Sequence, residues 1–249
     1  MTRAAARPAD DDAGRGGLEV ELKLAASDGR PLRLLRRRRR LGPATLGRAL
    51  SHDELDRYLD TADRALAAAR WACRLRERQG RAILSLKGPR RDAGGSALAV
   101  GSSLHARPEV EGPAGDAGRT GIPITTDQLP PSAARDLLAS LVGDRALLER
   151  FALGQRRTER EVRVAARLVG ILSLDRVDVL ADGRAVGRLW AVELELAGDP
   201  GADADSAPAL VAALGDALAA VPGLSPDPRT KLEHALELIG TPLPARPRG

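Results

Sequence analysis

Residues 18–24 constrain the fold more than any other stretch. Leu18, Val20, Leu22 and Leu24 alternate with Glu19, Glu21 and Lys23. A period of two marks a β-strand with two unlike faces, and side chains two apart on one face stand about 7 Å from each other. One face therefore carries two carboxylates and an ammonium; the other is aliphatic. Taken alone, such a strand reads as an edge strand with a solvated face. The pattern recurs, however, at 190–196, where Glu193 and Glu195 alternate with Val192 and Leu194, and at 108–111, where Glu109 and Glu111 flank Val110. Glu has low strand propensity and neighbouring like charges repel, so three such strands call for cations among them.

The 249 residues suffice for one large domain or two small ones, and a hydrophobic content of 43% can build a sizeable core. That core is aliphatic, because Tyr58, Trp71, Phe151 and Trp190 are the only aromatics. A formal charge of +5 favours an anionic partner. The basic residues are almost all arginine; Lys23, Lys87 and Lys231 are the lysines. Cys73 is the single cysteine, which excludes an intramolecular disulfide and a thiolate metal site. No apolar run approaches the roughly 20 residues of a membrane span, and the N-terminal residues lack the apolar segment of a secretory signal. The default expectation is a soluble cytoplasmic protein.

Residues 1–17 read as a disordered leader, 18–240 as the folded domain and 241–249 as a flexible tail. Ser27 and Asp28 are candidate caps for a short helix through Leu32, Leu34 and Leu35. The five arginines at 36–40 end it. They read either as a polyanion-binding patch or as cations favoured by a helix C-terminus. Residues 45–50 and 55–61 are strand candidates, followed by an Ala-rich helix from 63 to about 70. Residues 71–78 and 81–87 form a hairpin about Gln79-Gly80. Arg74, Arg76 and Arg78 share one face of it, Cys73 and Leu75 the other. Polar, Gly-rich loops are expected at 90–102 and 112–121, with an alternating strand at 103–111 between them. Short helices fill 125–150, with Asp127, Ser132 and Asp144 as possible caps. In 155–164, Val162 and Val164 put Arg157 on the charged face. Phe151 and Leu153 argue the opposite parity, so a bulge is admissible and Arg156 stays a candidate. Ser173 and Asp175 share a polar face. Two helices, 206–221 and 228–239, close the chain, the second with Asp227-Pro228 as cap and first position.

About eight strands thus pair an aliphatic face with a charged one. An eight-stranded closed barrel is just wide enough for a small ligand. With the charged faces inward it encloses Glu19, Glu21, Glu109, Glu111, Asp175, Glu193 and Glu195, together with Lys23, Arg74, Arg76, Lys87 and Arg157. Divalent metal satisfies carboxylates through hard oxygen ligands, and polyphosphate satisfies guanidinium forks.

Ordered motifs sharpen this reading. Glu19-Val20-Glu21-Leu22-Lys23, Tyr58-Leu59-Asp60-Thr61, Arg74-Leu75-Arg76, Leu86-Lys87-Gly88, Arg107-Pro108-Glu109-Val110-Glu111, Leu174-Asp175-Arg176, Glu193-Leu194-Glu195 and Thr230-Lys231-Leu232-Glu233 follow one another along the chain. In that order they resemble the CYTH family, also called triphosphate tunnel metalloenzymes, over about residues 18–240. The resemblance implies an α+β fold: an eight-stranded antiparallel closed β-barrel, the triphosphate tunnel, with flanking helices. It implies hydrolysis of inorganic triphosphate to diphosphate and phosphate with Mg²⁺ or Mn²⁺ as cofactor. Glu19, Glu21, Glu109, Glu111, Asp175, Glu193 and Glu195 are then metal ligands. Lys23, Arg74, Arg76, Lys87, Arg156 and Arg157 bind substrate, and Lys23 and Glu21 serve catalysis. Thiamine triphosphatase, adenylyl cyclase and a non-catalytic polyphosphate-binding module are the alternatives. Nucleic acid is disfavoured, because the scattered aromatics offer no stacking platform. Trp71 and Trp190 share parity with core residues, which places both on the aliphatic side and argues against a ring pocket.

Overall fold

The structure is a computed structural model that describes residues 17–89, 104–118, 123–197 and 207–240. Residues 1–16 of the expected leader, the 90–102 loop and the 241–249 tail lie outside the described residues. The elements run β1 (Gly17–Ala26), α1 (Arg30–Arg37), β2 (Arg40–Leu41), β3 (Ala44–Leu46), β4 (Leu50–Thr61), α2 (Ala65–Ala68), β5 (Ala72–Arg78), β6 (Arg81–Lys87) and β7 (Leu104–Pro113). They continue with α3 (Ala133–Val142), β8 (Leu147–Val164), β9 (Arg167–Ala181), β10 (Arg184–Leu196), α4 (Ala207–Ala219), β11 (Leu224–Pro226) and α5 (Lys231–Ile239).

The strand order β8-β4-β5-β6-β7-β1-β10-β9 returns on itself, because β9 pairs with β8. The result is a closed, eight-stranded antiparallel barrel with a few flanking helices. β2 and β3 extend from β8, and β11 pairs with the end of β1. Alternation makes this barrel two-faced. Leu22 and Leu24 of β1, Leu172 and Leu174 of β9, and Val192 and Leu194 of β10 are buried in one aliphatic cluster. Their odd-numbered neighbours fall on the other face of the sheet.

The chain forms two compact units. In the unit holding Leu18–Asp56 and Phe151–Gly249, that aliphatic cluster takes in Leu32 and Leu35 of α1 and Val211, Leu214 and Leu218 of α4. In the unit holding Arg57–Pro89 and Pro108–Arg150, Cys73, Leu75, Leu84 and Leu86 pack with Ala134, Leu138 and Val142 of α3. Truncating a fully buried leucine in either cluster to alanine costs about 2–5 kcal/mol.

Several local expectations are corrected. α2 is a single turn rather than a helix from 63 to 70. Its start is fixed by Asp60, whose carboxylate accepts from the amides of Thr61 (2.8 Å), Leu66 (2.9 Å) and Ala67 (3.1 Å). Residues 147–150 belong to β8, not to a helix. α5 begins at Lys231 rather than 228, because Thr230 and Glu233 form a reciprocal capping box. Asp227 instead accepts from the Arg229 amide at 3.0 Å. β8 pairs with β9 in unbroken register from Ala152 to Val162, and the admissible bulge falls beyond it, where the register shifts between Val162 and Arg163. Phe151, Leu153 and Arg157 therefore share a face without a bulge between them. Phe151 and Leu153 are buried yet belong to neither aliphatic cluster, so the inner face is not charged throughout.

Candidate active site

Register builds the first of two charged groups. Lys23 of β1 stands opposite Glu193 of β10, which stands opposite Ser173 of β9. One rung away, Ala191, Asp175 and Arg157 align across β10, β9 and β8. The result is a continuous chain of ion pairs. The Arg107 guanidinium reaches Glu19 at 2.9 Å and Glu21 at 3.4 Å. The Lys23 ammonium lies 3.0 Å from Glu21 and 3.2 Å from Glu193. Arg157 donates to both oxygens of Asp175, at 2.9 and 2.7 Å, and to Glu193 at 3.1 Å. Lys231 closes the chain, 2.6 Å from Asp175 and 2.8 Å from Glu193. Glu54, with its side chain fully buried, lies 3.9 Å from Arg157 and 3.0 Å from the His52 ring.

These charges are viable in the interior only because they neutralise one another. Burial alone would drive Glu193 toward the neutral acid, but Lys23, Lys231 and Arg157 hold it well below the usual carboxylate range. Burial would likewise strip Lys23 of its proton; Glu193 and Glu21 outweigh it and raise its pKa above that of an ordinary lysine. Arg157 is pushed down by burial and up further by Asp175, so it stays a cation. Five carboxylates (Glu19, Glu21, Glu54, Asp175 and Glu193) thus meet four permanent cations.

A separate charged group lies in the other unit and is base-rich. Arg74 of β5 faces Ser85 of β6, and Ser85 faces Glu111 of β7. The next rung is Lys87 opposite Glu109. Lys87 lies 3.0 Å from Glu109, and Arg74 lies 3.5 Å from Glu109 and 3.6 Å from Glu111. Ser85 accepts from Arg74 at 3.2 Å and donates to Glu109 at 2.7 Å. The Glu111 pKa is raised by burial and by the charge of Glu109, against Arg74, Lys87 and Arg76.

Each expected residue has a place in these two groups except two. Arg156 points away, exposed, with its guanidinium on Asp53 at 2.7 Å, whereas Arg157 is buried in the acid-rich chain. Glu195 stands opposite Glu21 in register but is exposed near the end of β10. Four residues of the chain were not among the sequence candidates. Arg107 shares the parity of Glu109, and Lys231 is one of only three lysines. Both signals were visible. His52 and Glu54 belong to β4, which begins at Leu50; a strand started at Leu55 leaves them out. Trp190 packs against the aliphatic cluster as expected. It also lines a pocket of about 180 Å³ together with Lys23, Glu193 and Lys231.

The carboxylate oxygens suit a hard divalent cation. Asp175 and Glu193 share one cation, Lys231; among the described residues no three His, Cys, Asp or Glu side chains are grouped so as to hold a metal ion.

The CYTH domain family model matches residues 17–210. The chain belongs to the CYTH family. No protein among the curated sequences matches it. Solved structures do. HpAC1 of Hippeastrum, provisionally named an adenylyl cyclase and described as having a dominant triphosphatase activity, aligns with a TM-score of 0.54 at 19% identity, over 91% of this chain and 98% of that one. A Bacillus halodurans protein provisionally named an adenylate cyclase aligns with a TM-score of 0.52 at 19% identity, over 88% of this chain and 97% of that one. At such identity these CYTH-like structures speak for the fold alone. No helix among the described residues is long and apolar enough to cross a membrane.

Proposed function

We propose that this CYTH protein is a divalent-metal-dependent hydrolase that splits inorganic triphosphate into diphosphate and phosphate. The observation that supports the reading is the buried chain of carboxylates and cations from Glu19 to Lys231, with more carboxylates than permanent cations. Glu19, Glu21, Asp175 and Glu193 would hold Mg²⁺ or Mn²⁺, which would supply Lewis-acid chemistry toward phosphate oxygens and water. Arg74, Arg76 and Lys87 grip the phosphoryl chain through charge-assisted hydrogen bonds, with Glu109 and Glu111 setting how they point. Lys23 keeps its proton, so it orients and neutralises the reacting group rather than taking a proton from water. Arg157 is already bound at both Asp175 oxygens, which makes it the counter-ion that fixes Asp175 more than a free phosphate fork.

A second reading, an organic triphosphate as substrate, is favoured by Trp190 in the pocket beside Lys23. Phosphate release from tripolyphosphate with Mg²⁺ or Mn²⁺, against the same mixture in EDTA, tests the enzyme reading. No release with any divalent metal would leave a polyphosphate-binding module. Comparing kcat/KM for tripolyphosphate, ATP and thiamine triphosphate under one metal condition tests the substrate. Tripolyphosphate is expected to be highest; an equal or higher value for either organic substrate moves the assignment to the second reading.

A further inference from the structure

The arginine run at 36–40 takes no part in either charged group. α1 buries Pro31, Leu32 and Leu35 and leaves Arg33, Arg36 and Arg37 exposed; Arg39, Arg40 and Arg48 are exposed in the segments that follow. None of these six has a carboxylate within ion-pair distance among the described residues. A helix C-terminus is ordinarily a poor place for an anion, because its free carbonyls carry partial negative charge. Here those carbonyls are spoken for. Arg160 of β8, only 6% exposed, donates to the carbonyls of Leu35 (2.7 Å), Arg36 (3.2 Å), Arg38 (2.6 Å), Leu46 (3.1 Å) and Gly47 (2.6 Å). A buried cation thus neutralises the end of α1 and clamps the backbone on both sides of the run. The arginines stand on a fixed frame, so little backbone ordering is left to oppose binding.

We infer that this surface binds a flexible inorganic polyanion, linear polyphosphate. The run passes from helix through the extended Arg38 (φ −63°, ψ 145°) into β2, so its consecutive side chains do not share one face. A duplex, with phosphates in fixed rows, meets few of them; a flexible chain follows them all. No aromatic residue occurs within 33–48, so bases of a single strand find no stacking platform, while guanidinium forks match phosphate oxygens. The proposal does not depend on catalysis by the barrel.

The test is titration of the full chain with long-chain sodium polyphosphate in EDTA, where hydrolysis is absent, across a salt series. The variant R36Q/R37Q/R39Q/R40Q is expected to bind at least about tenfold more weakly. Its slope of log affinity against log salt should be shallower by about 3, for four contacts at about 0.7 each as in single strands. Replacing the same four by lysine should restore most of the affinity. Unchanged affinity and slope in the glutamine variant would overturn the site. Equal or tighter binding of a single-stranded RNA of matched charge by the natural protein would overturn the assignment to polyphosphate.

Discussion

The two charged groups differ in sign of excess. The chain from Glu19 to Lys231 has more carboxylates than permanent cations; the cluster of Arg74, Arg76, Lys87, Glu109 and Glu111 has more cations than carboxylates. In the first, Glu21, Lys23 and Asp175 are 3%, 5% and 0% exposed; in the second, Arg74 and Ser85 are also buried. The second contains Glu111, whose side chain is 42% exposed. Spare negative charge suits a metal ion; spare positive charge suits an arriving phosphate. The difference argues for a division of labour between the strands that share one barrel.

The largest expected effect comes from the acid-rich side. Glu21→Gln removes the charge proposed to bind metal without removing volume, and on that proposal turnover on tripolyphosphate should fall by about 100-fold or more, the scale of losing one charge-stabilising group. Near-normal turnover across metal concentrations would break the comparison. Glu193→Gln leaves Lys23, Lys231 and Arg157 short of a partner and should destabilise the metal-free protein by about 3–5 kcal/mol at neutral pH. The Glu193 pKa is depressed in the fold, so its contribution is fully present above the ordinary value of 4.5 and is lost as pH falls through the depressed value. The gap between natural protein and variant, read from urea unfolding, should be flat from neutral pH down to about that value and shrink only below it. A gap that narrowed toward alkaline pH would contradict the assignment.

Smaller effects mark residues outside both groups. Arg160→Met strips the buried carbonyls at the end of α1 of their donor and should cost about 1–3 kcal/mol, lowering Tm while KM for tripolyphosphate stays put; a changed KM would tie Arg160 to the site. Cys73 is fully buried, and burial, with the charge of Asp60, pushes its thiol up to about 12. It should resist thiol reagents in the native protein at pH 8, and rapid labelling there would remove it from the core.

Period-two alternation made the barrel legible, because a closed sheet with a charged interior forces unlike faces on every strand. It worked best where both faces obeyed the rule, as in β1, β5, β6 and β10. It was blind in β8, where Phe151 and Leu153 share the inner face with Arg157, and parity alone could not separate Arg156 from Arg157. Only the pairing of Arg157 with Asp175 across β9 does so. Helix starts were misplaced where side-chain caps decided them: Asp60 for α2 and the Thr230–Glu233 box for α5. The contribution of Lys231 depends on a helix end meeting two strands, which no local pattern encodes. The role of Arg160 was equally hidden, since a guanidinium serving five carbonyls looks in sequence like any other arginine of an arginine-rich chain.

The most direct test of the division of labour is a paired kinetic measurement on tripolyphosphate, varying metal and substrate independently in Glu21→Gln and Arg74→Gln. The acid-side variant should raise the metal concentration needed for half-maximal rate and leave KM for tripolyphosphate within about twofold. The base-side variant should raise KM about tenfold, the loss of one charge-assisted contact of roughly 1.5 kcal/mol, with the metal requirement unchanged. Both variants shifting the same parameter, or each shifting the other's, would contradict it.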